Sequence, residues 1–403
     1  MRTPRSDSLP EAGAKLREFI RDSMTASALP TSTPCLDPEL VSFFDSFALD
    51  LFRLQFEANP VYRSFCEARR SVPSQIGHWS QIPFLPVVAF KESICTALPE
   101  SDRLREFRSS GTTTQARSRH FHSGLSLESY ECSLLPWFNR HLMPDLAPWR
   151  GRLFGGPLEP PDFLFLTPPP ARCPNSSLAH MFEVVRREHA PASNPFHGTF
   201  TRDGAWSLNT AAIESVLRQA VDFARPLCVL GTAFSFVELS DHLVQSGKTV
   251  VLPSGSRALE TGGYKGRSRS LSKTALHSLI NHALGIRLDH IVSEYGMSEL
   301  SSQAYDHPIP TTAMEDSNSP EIVKPPPRTF HFPPWTRIRI VSPENEREMP
   351  PGEVGVLQVL DMANIFSVCA LQTEDLAASL GHGFELHGRA SSSEPRGCSL
   401  NQT

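Results

Sequence analysis

Apolar residues recur along Asp37–Ala68 at three- and four-residue steps, through Leu40, Phe43, Phe44, Phe47, Leu51 and Leu54. That spacing predicts one or two helices with a single packed face. Glu11–Met24 predicts another, with Leu16, Phe19 and Ile20 on one side, and Gly124–Leu142 a third. Pro83–Phe90 is an apolar run marked by prolines. Phe163–Thr167, Leu227–Gly231 and Thr249–Leu252 are short continuous apolar runs, the type that forms strands buried on both faces. A helical pattern, Phe234–Gln245, separates the last two, which predicts a βαβ unit with parallel pairing. Leu271–Leu284 reads as a helix, and Asp289–Ser293 as a strand feeding Glu294-Tyr295-Gly296-Met297.

Prolines dominate residues 307–334, and the pattern then changes. Arg337–Val341 and Val354–Leu360 read as strands around the polar turn Ser342–Gly352. The expected organisation is a flexible segment over residues 1–36, an α/β core over 37–330, a small β-rich subdomain over 331–388 and a short tail over 389–403. The chain's 403 residues are enough for such a core and one appendage.

Charge and cysteine usage exclude several classes. The net charge is −5 and basic residues occur only in short clusters, which speaks against a nucleic-acid partner held by bulk electrostatics. No run approaches the ~20 apolar residues of a membrane span. The eight cysteines are scattered with no Cys-x-x-Cys pair, so a zinc ribbon has no ligands. Without an apolar segment after the N-terminal charges, the expected location is the cytoplasm, with the thiols reduced.

Three stretches carry candidate chemistry. Ser109-Ser110-Gly111-Thr112-Thr113-Thr114 supplies hydroxyls and backbone N–H groups on a loop that Gly111 lets turn tightly, as a polyphosphate requires. It is not a Walker A loop, since no Gly-Lys-Ser/Thr follows. Glu294-Tyr295-Gly296-Met297-Ser298-Glu299 follows a predicted strand, where open α/β sheets bind ligands. There a tyrosine can stack on a base and a glutamate can hold Mg²⁺. Thr373-Glu374-Asp375 precedes Gly388-Arg389, and such an Asp–Arg pair suits a ribose and a phosphate.

In this order the three stretches resemble the adenylate-forming superfamily of acyl-CoA synthetases, luciferases and peptide-synthetase adenylation domains. That family has a Ser-Ser-Gly-Thr-Thr-Gly-x-Pro-Lys-Gly loop, then Tyr-Gly-x-Thr-Glu, Thr-Gly-Asp and a hinge Gly-Arg. Here Thr114 and Glu374 replace glycines, Ser298 replaces a threonine, and Arg117 stands where the family has lysine. The nearer resemblance is to the LuxE-type acyl-protein synthetases. It adds Pro86-Val87-Val88-Ala89-Phe90-Lys91, Thr261-Gly262-Gly263-Tyr264-Lys265-Gly266, Met297–Gln303 and the tail Arg396-Gly397-Cys398-Ser399-Leu400.

The resemblance implies a large adenylate-forming α/β domain with parallel and mixed sheets, a small β-rich subdomain and a truncated C-terminal lid. It implies ATP and Mg²⁺ as cofactors and a carboxylic acid, of the fatty class, as substrate. Ser109, Ser110, Gly111, Thr112, Thr113, Thr114 and Arg117 would hold the leaving phosphates. Glu299 would take Mg²⁺, Tyr295 with Gly296 the adenine, Ser298 the α-phosphate and Asp375 the ribose, with Arg389 beside it. Cys398 would accept the acyl group as a thioester, and an acyl-reductase or acyltransferase partner would receive it. Lys265, in its glycine-rich turn, is a further candidate for binding carboxylate or phosphate, and Lys91 another. The alternatives are a coenzyme A ligase of the phenylacetate type and a non-catalytic acyl- or nucleotide-binding homologue.

Overall fold

The computed structural model describes residues 5–26, 38–109, 117–146, 160–190, 195–201, 206–263, 270–309, 328–381 and 383–390. In chain order the elements begin with α1 (Leu9–Ala26), α2 (Pro38–Ala58), α3 (Pro60–Ala68), β1 (Leu85–Pro86) and α4 (Ala89–Glu92). Then come β2 (Arg105–Arg108), β3 (Arg119–His122), α5 (Gly124–Leu142), β4 (Asp162–Leu166) and α6 (Ser177–His189). Next are β5 (Gly198–Phe200), β6 (Trp206–Leu208), α7 (Thr210–Asp222), β7 (Leu227–Thr232) and α8 (Ala233–Gln245). They are followed by β8 (Arg257–Thr261), α9 (Lys273–Leu284), β9 (Ile291–Tyr295) and β10 (Ala304–Tyr305). The last four are β11 (Thr336–Val341), β12 (Val354–Asp361), β13 (Ala370–Leu380) and β14 (Gly383–Arg389).

Two compact units share these elements. One comprises Met1–Pro136, Gly296–Ala304 and His331–Glu394, and the other the segments between and after them.

The first unit is built on a sheet ordered β1-β13-β12-β11, with β14 on β13. The β12 pairings with β11 and β13 are antiparallel, and β1 runs parallel to β13. At Gly355 a Cβ would stand 2.5 Å from the Val341 carbonyl oxygen, so glycine alone permits that approach of β12 to β11. The predicted Asp37–Ala68 pattern is two helices because Asn59 ends one and caps the next: its side chain accepts from Tyr62 N, with Pro60 at the first helical position. The Gln55 amide donates to the Asn364 and Ile365 carbonyls and accepts from Cys369 N, which pins α2 to the β12–β13 connection. Residues 9–26, inside the segment expected to be flexible, form α1. Its Ala12, Leu16 and Ile20 are wholly buried, and Phe19 stacks on Phe43 at 3.9 Å.

The second unit holds a sheet ordered β10-β9-β8-β7-β4, in which β4, β7, β8 and β9 run parallel. The predicted βαβ unit exists as β7–α8–β8, but its second strand is Arg257–Thr261, not Thr249–Leu252. Pro253, directly after the apolar run, has no N–H to continue a ladder. Instead, Val250 N and Leu252 N donate to the Ala283 and Leu284 carbonyls at the end of α9. Val251 is left largely exposed. Gly285, at φ +69°, closes that helix in the left-handed conformation.

β8 escapes the apolar-run criterion because it is polar in sequence yet wholly buried. Each polar side chain has a partner. Arg257 donates twice to Asp145, at 2.7 Å each, and to the Leu142 carbonyl. Burial alone would raise the Asp145 carboxyl, but Arg257 holds it below the usual carboxylate range. Glu260 accepts from Ser293 Oγ at 2.5 Å and contacts His277 Nε2 at 3.3 Å. Thr261 Oγ1 donates to Glu294. Burial pushes the Glu294 carboxyl up to about 7, against the pull of Thr261.

These buried groups make two predictions. Asp145→Ala leaves Arg257 without its carboxylate and lowers stability by about 3–5 kcal/mol in urea unfolding. Replacing both residues by apolar ones recovers most of the loss. Glu294 has a folded-state pKa above its unfolded value, so its stabilising contribution is complete below about pH 4.5 and lost as pH rises through about 7. The loss is on the order of 3 kcal/mol. Glu294→Gln is expected to flatten the stability profile between pH 5 and 8, and an unchanged slope would refute the assignment.

Candidate active site

The Ser/Thr/Gly stretch joins β2 to β3, an antiparallel hairpin that the hydrophobic pattern does not reveal. Phe107 pairs with His120, and Arg105 with His122. Phe107, His120 and His122 turn to the buried face, where the His122 ring lies 4.7 Å from Phe107 and 4.2 Å from His120. Beyond the last ladder pair, Ser109 N donates to the Ser118 carbonyl at 3.2 Å, and Ser118 N donates to Ser109 Oγ at 3.0 Å. Ser109 and the half-buried Arg117 therefore stand on a pinned base. Ser110, Gly111, Thr112, Thr113 and Thr114 lie outside the described residues, as do Lys265 and Cys398.

Tyr295 ends β9 and packs against Phe330, with ring centroids 6.0 Å apart. From Gly296 the chain runs through the first unit as an irregular segment to Ala304. Ser298 and Glu299 are both buried there, and Ser298 Oγ donates to Glu299 Oε2 at 3.0 Å.

Three side chains from elsewhere in the same unit grip this segment. His120 Nδ1 lies 2.8 Å from the Ser298 carbonyl. A carbonyl only accepts, so the proton is on Nδ1. Burial lowers the His120 pKa, with the Ser298 carbonyl and the Glu299 charge opposing, and the ring is neutral at pH 7. Asn364 Nδ2 donates to the Glu299 carbonyl at 2.9 Å. Asp361 Oδ2 accepts from Ser301 N and Ser302 N, both at 2.8 Å. Its Oδ1 accepts from Ser302 Oγ at 2.7 Å and from Ala363 N at 3.0 Å. Behind Ser302 the indole of Trp335 donates to Ser133 Oγ, which meets Ser302 Oγ at 2.9 Å. Since a carboxylate only accepts, Ser302 gives its proton to Asp361, and Ser133 therefore donates to Ser302.

A second cluster forms on β13 and β14, where Asp375 pairs in register with Arg389. Arg389 Nε donates to Asp375 Oδ1 at 3.2 Å, and the same guanidinium lies 3.7 Å from Glu374. Lys91 Nζ stands 3.9 Å from that Glu374 carboxylate. Glu374, standing where the resembled motif has glycine, thus gathers Lys91 and Arg389 beside Asp375. Gly388 has φ +104°, a conformation that favours glycine, so the Gly-Arg pair has a backbone reason.

Ser109, Arg117, Gly296, Ser298, Glu299, Asp375 and Arg389 all belong to the first unit, and Tyr295 to the second. Among the described residues no group of three His, Cys, Asp or Glu side chains can hold a metal ion. The donors present are nonetheless hard oxygens, the Glu299 carboxylate beside the Ser298 hydroxyl. Magnesium usually takes one or two carboxylates and completes its shell with phosphate and water, so this set fits it.

Sequence reasoning missed His120, Asp361 and Asn364, which belong to no motif. One signal was available. Ser301, Ser302 and Gln303 are polar in a segment that becomes buried, and Asp361 is an acid at the end of the apolar run Val359-Leu360. Buried donors and a buried acid need one another. Among the described cysteines, burial pushes Cys66, Cys95 and Cys228 up to about 12.

No protein-family model matches the chain, and no curated protein does. Solved structures do. A 2-hydroxyisobutyryl-CoA ligase, in an open conformation with 2-HIB-AMP and CoA, superposes with a TM-score of 0.57 at 13% identity. The match covers 86% of this chain and 69% of that one. The same ligase in its thioesterification state gives 0.56 at 14% identity, over 89% and 67%. The chain has the mixed α/β fold of these ligase structures, and no closed barrel occurs among the described residues.

Proposed function

We propose that this protein uses ATP to activate a carboxylic acid of the fatty class and loads it on its own Cys398. The observation that carries the reading is the 2.8 Å bond from His120 to the Ser298 carbonyl. It ties the hairpin that flanks the Ser/Thr/Gly stretch to the segment carrying Ser298 and Glu299, which supports reading Ser109, Arg117, Ser298 and Glu299 as parts of one site.

In the first step a carboxylate oxygen of the substrate attacks the α-phosphorus of ATP. The bond to the bridging oxygen breaks, and pyrophosphate leaves with the electron pair. The work is positioning and charge stabilisation. Ser109, the hydroxyls of 110–114 and Arg117 hold the departing phosphates, and Ser298 the α-phosphate. Tyr295 and Gly296 flank the adenine, and Asp375 accepts from the ribose hydroxyls while Arg389 keeps it oriented. Lys265 binds carboxylate or phosphate. Glu299 would hold Mg²⁺, which when bound neutralises charge on the phosphates. In the second step the Cys398 thiol loses its proton to solvent, its sulfur attacks the acyl carbonyl and AMP leaves. The thioester then passes to an acyl-reductase or acyltransferase partner.

The test is pyrophosphate exchange over a panel of short, long and aromatic acids. Exchange is expected with wild type, and Glu299→Gln should reduce it by about 100-fold or more. Cys398→Ser should retain exchange and lose the hydroxylamine-labile acyl label. A product formed only with coenzyme A, with Cys398 dispensable, would assign the protein to the coenzyme A ligases. Tight ATP binding without exchange for any acid would make it a non-catalytic binder.

A further inference from the structure

Between Tyr295 and Ala304 the chain has no helix or strand, and one backbone bond, Leu300 N to the Met297 carbonyl, shapes its turn. Its position therefore depends on the side chains that hold it. The turn Asp361–Asn364, at the end of β12, grips it twice. Asn364 takes the Glu299 carbonyl, and Asp361 takes the amides of Ser301 and Ser302 together with the Ser302 hydroxyl. The turn is itself closed, since Asn364 N donates to the Asp361 carbonyl and Ala363 N to Asp361 Oδ1. Asp361 and Asn364 are almost fully buried, so water does not compete for these bonds.

We propose that the Asp361–Asn364 turn is the positioning element for Glu299, with Asp361 as its anchor, and that it sets how strongly Mg²⁺ couples to ATP binding. The inference rests on the reading of Glu299 as the magnesium ligand. Asp361 and Asn364 hold the segment by its backbone and by Ser302 Oγ. They act by fixing the backbone that follows the Glu299 side chain, at its own carbonyl and at the amides of Ser301 and Ser302, in the manner of groups that orient a metal's ligands from behind. The Asp361 carboxylate engages four donors. Asn in its place keeps one oxygen and turns an NH₂ group toward donors, so the segment loses its hold without a loss of volume.

The experiment is calorimetric ATP binding across a Mg²⁺ series and in EDTA, with wild type, Asp361→Asn and Asn364→Ala, each checked for native circular dichroism. In EDTA all three are expected to bind ATP alike. The Mg²⁺ concentration for half-maximal enhancement should rise by about 10–100-fold in Asp361→Asn. Asn364→Ala, which removes one of the two grips, should shift the same way by a smaller factor, and it carries the test alone if Asp361→Asn does not fold. A purely structural role would lower stability and leave the Mg²⁺ midpoint in place. Mg²⁺-dependent binding in wild type with an unchanged midpoint in the folded variants overturns this inference alone. Wild type with no Mg²⁺-dependent ATP binding overturns it together with the reading of Glu299.

Discussion

A buried carboxylate must have its oxygens occupied, and this constraint organises both units. Asp361 is the clearest case: four donors converge on it, and two of them are consecutive amides of a segment some sixty residues away. Burial pushes its carboxyl above the ordinary range while those donors pull it back. Leaving such a group half-satisfied costs more than omitting it, so the segment and the turn hold one another. The second unit meets the same demand beside β9. Ser293 N and His307 contact Asp306 Oδ1, and Lys273 and Arg328 contact its other oxygen. Burial would raise the Asp306 carboxyl, and these neighbours hold it well below the usual range.

Polar networks of this kind sit where the candidate chemistry sits. Strand ends are where an open α/β sheet exposes backbone and side chains to a ligand. The first unit adds a hairpin with a pinned base and an irregular segment held by three side chains. Activation of a carboxylic acid asks little covalent chemistry of the protein and much positional accuracy. In the proposed reaction, the satisfied hydrogen bonds around Ser298 and Glu299 would supply that accuracy. Glu374 shows the same economy: it departs from the resembled motif, yet its carboxylate collects Lys91 and Arg389 beside Asp375.

Much of this was legible in the chain. The periodicity of α2, α5, α8 and α9 and the apolar runs of β4 and β7 predict their elements within a few residues, because each buries one continuous face or run. The strand at Arg257–Thr261 was not legible, because its polar residues are buried only by virtue of partners at Asp145, Ser293 and Glu294. No local pattern announces a pairing across a hundred residues. The motif residues Ser109, Glu299, Asp375 and Arg389 were visible because their types and order resemble a known set.

By itself, then, the sequence determined the helical faces, the apolar strands β4 and β7 and the order of the motif residues, all of which are local properties of the chain. The tertiary structure decided the register of the β2–β3 hairpin, the place of the polar strand β8 and the gathering of His120, Asp361 and Asn364 around Ser298 and Glu299. Those depend on which buried donor meets which buried acceptor. That pairing exists only once the chain has folded and water has been removed from between the partners.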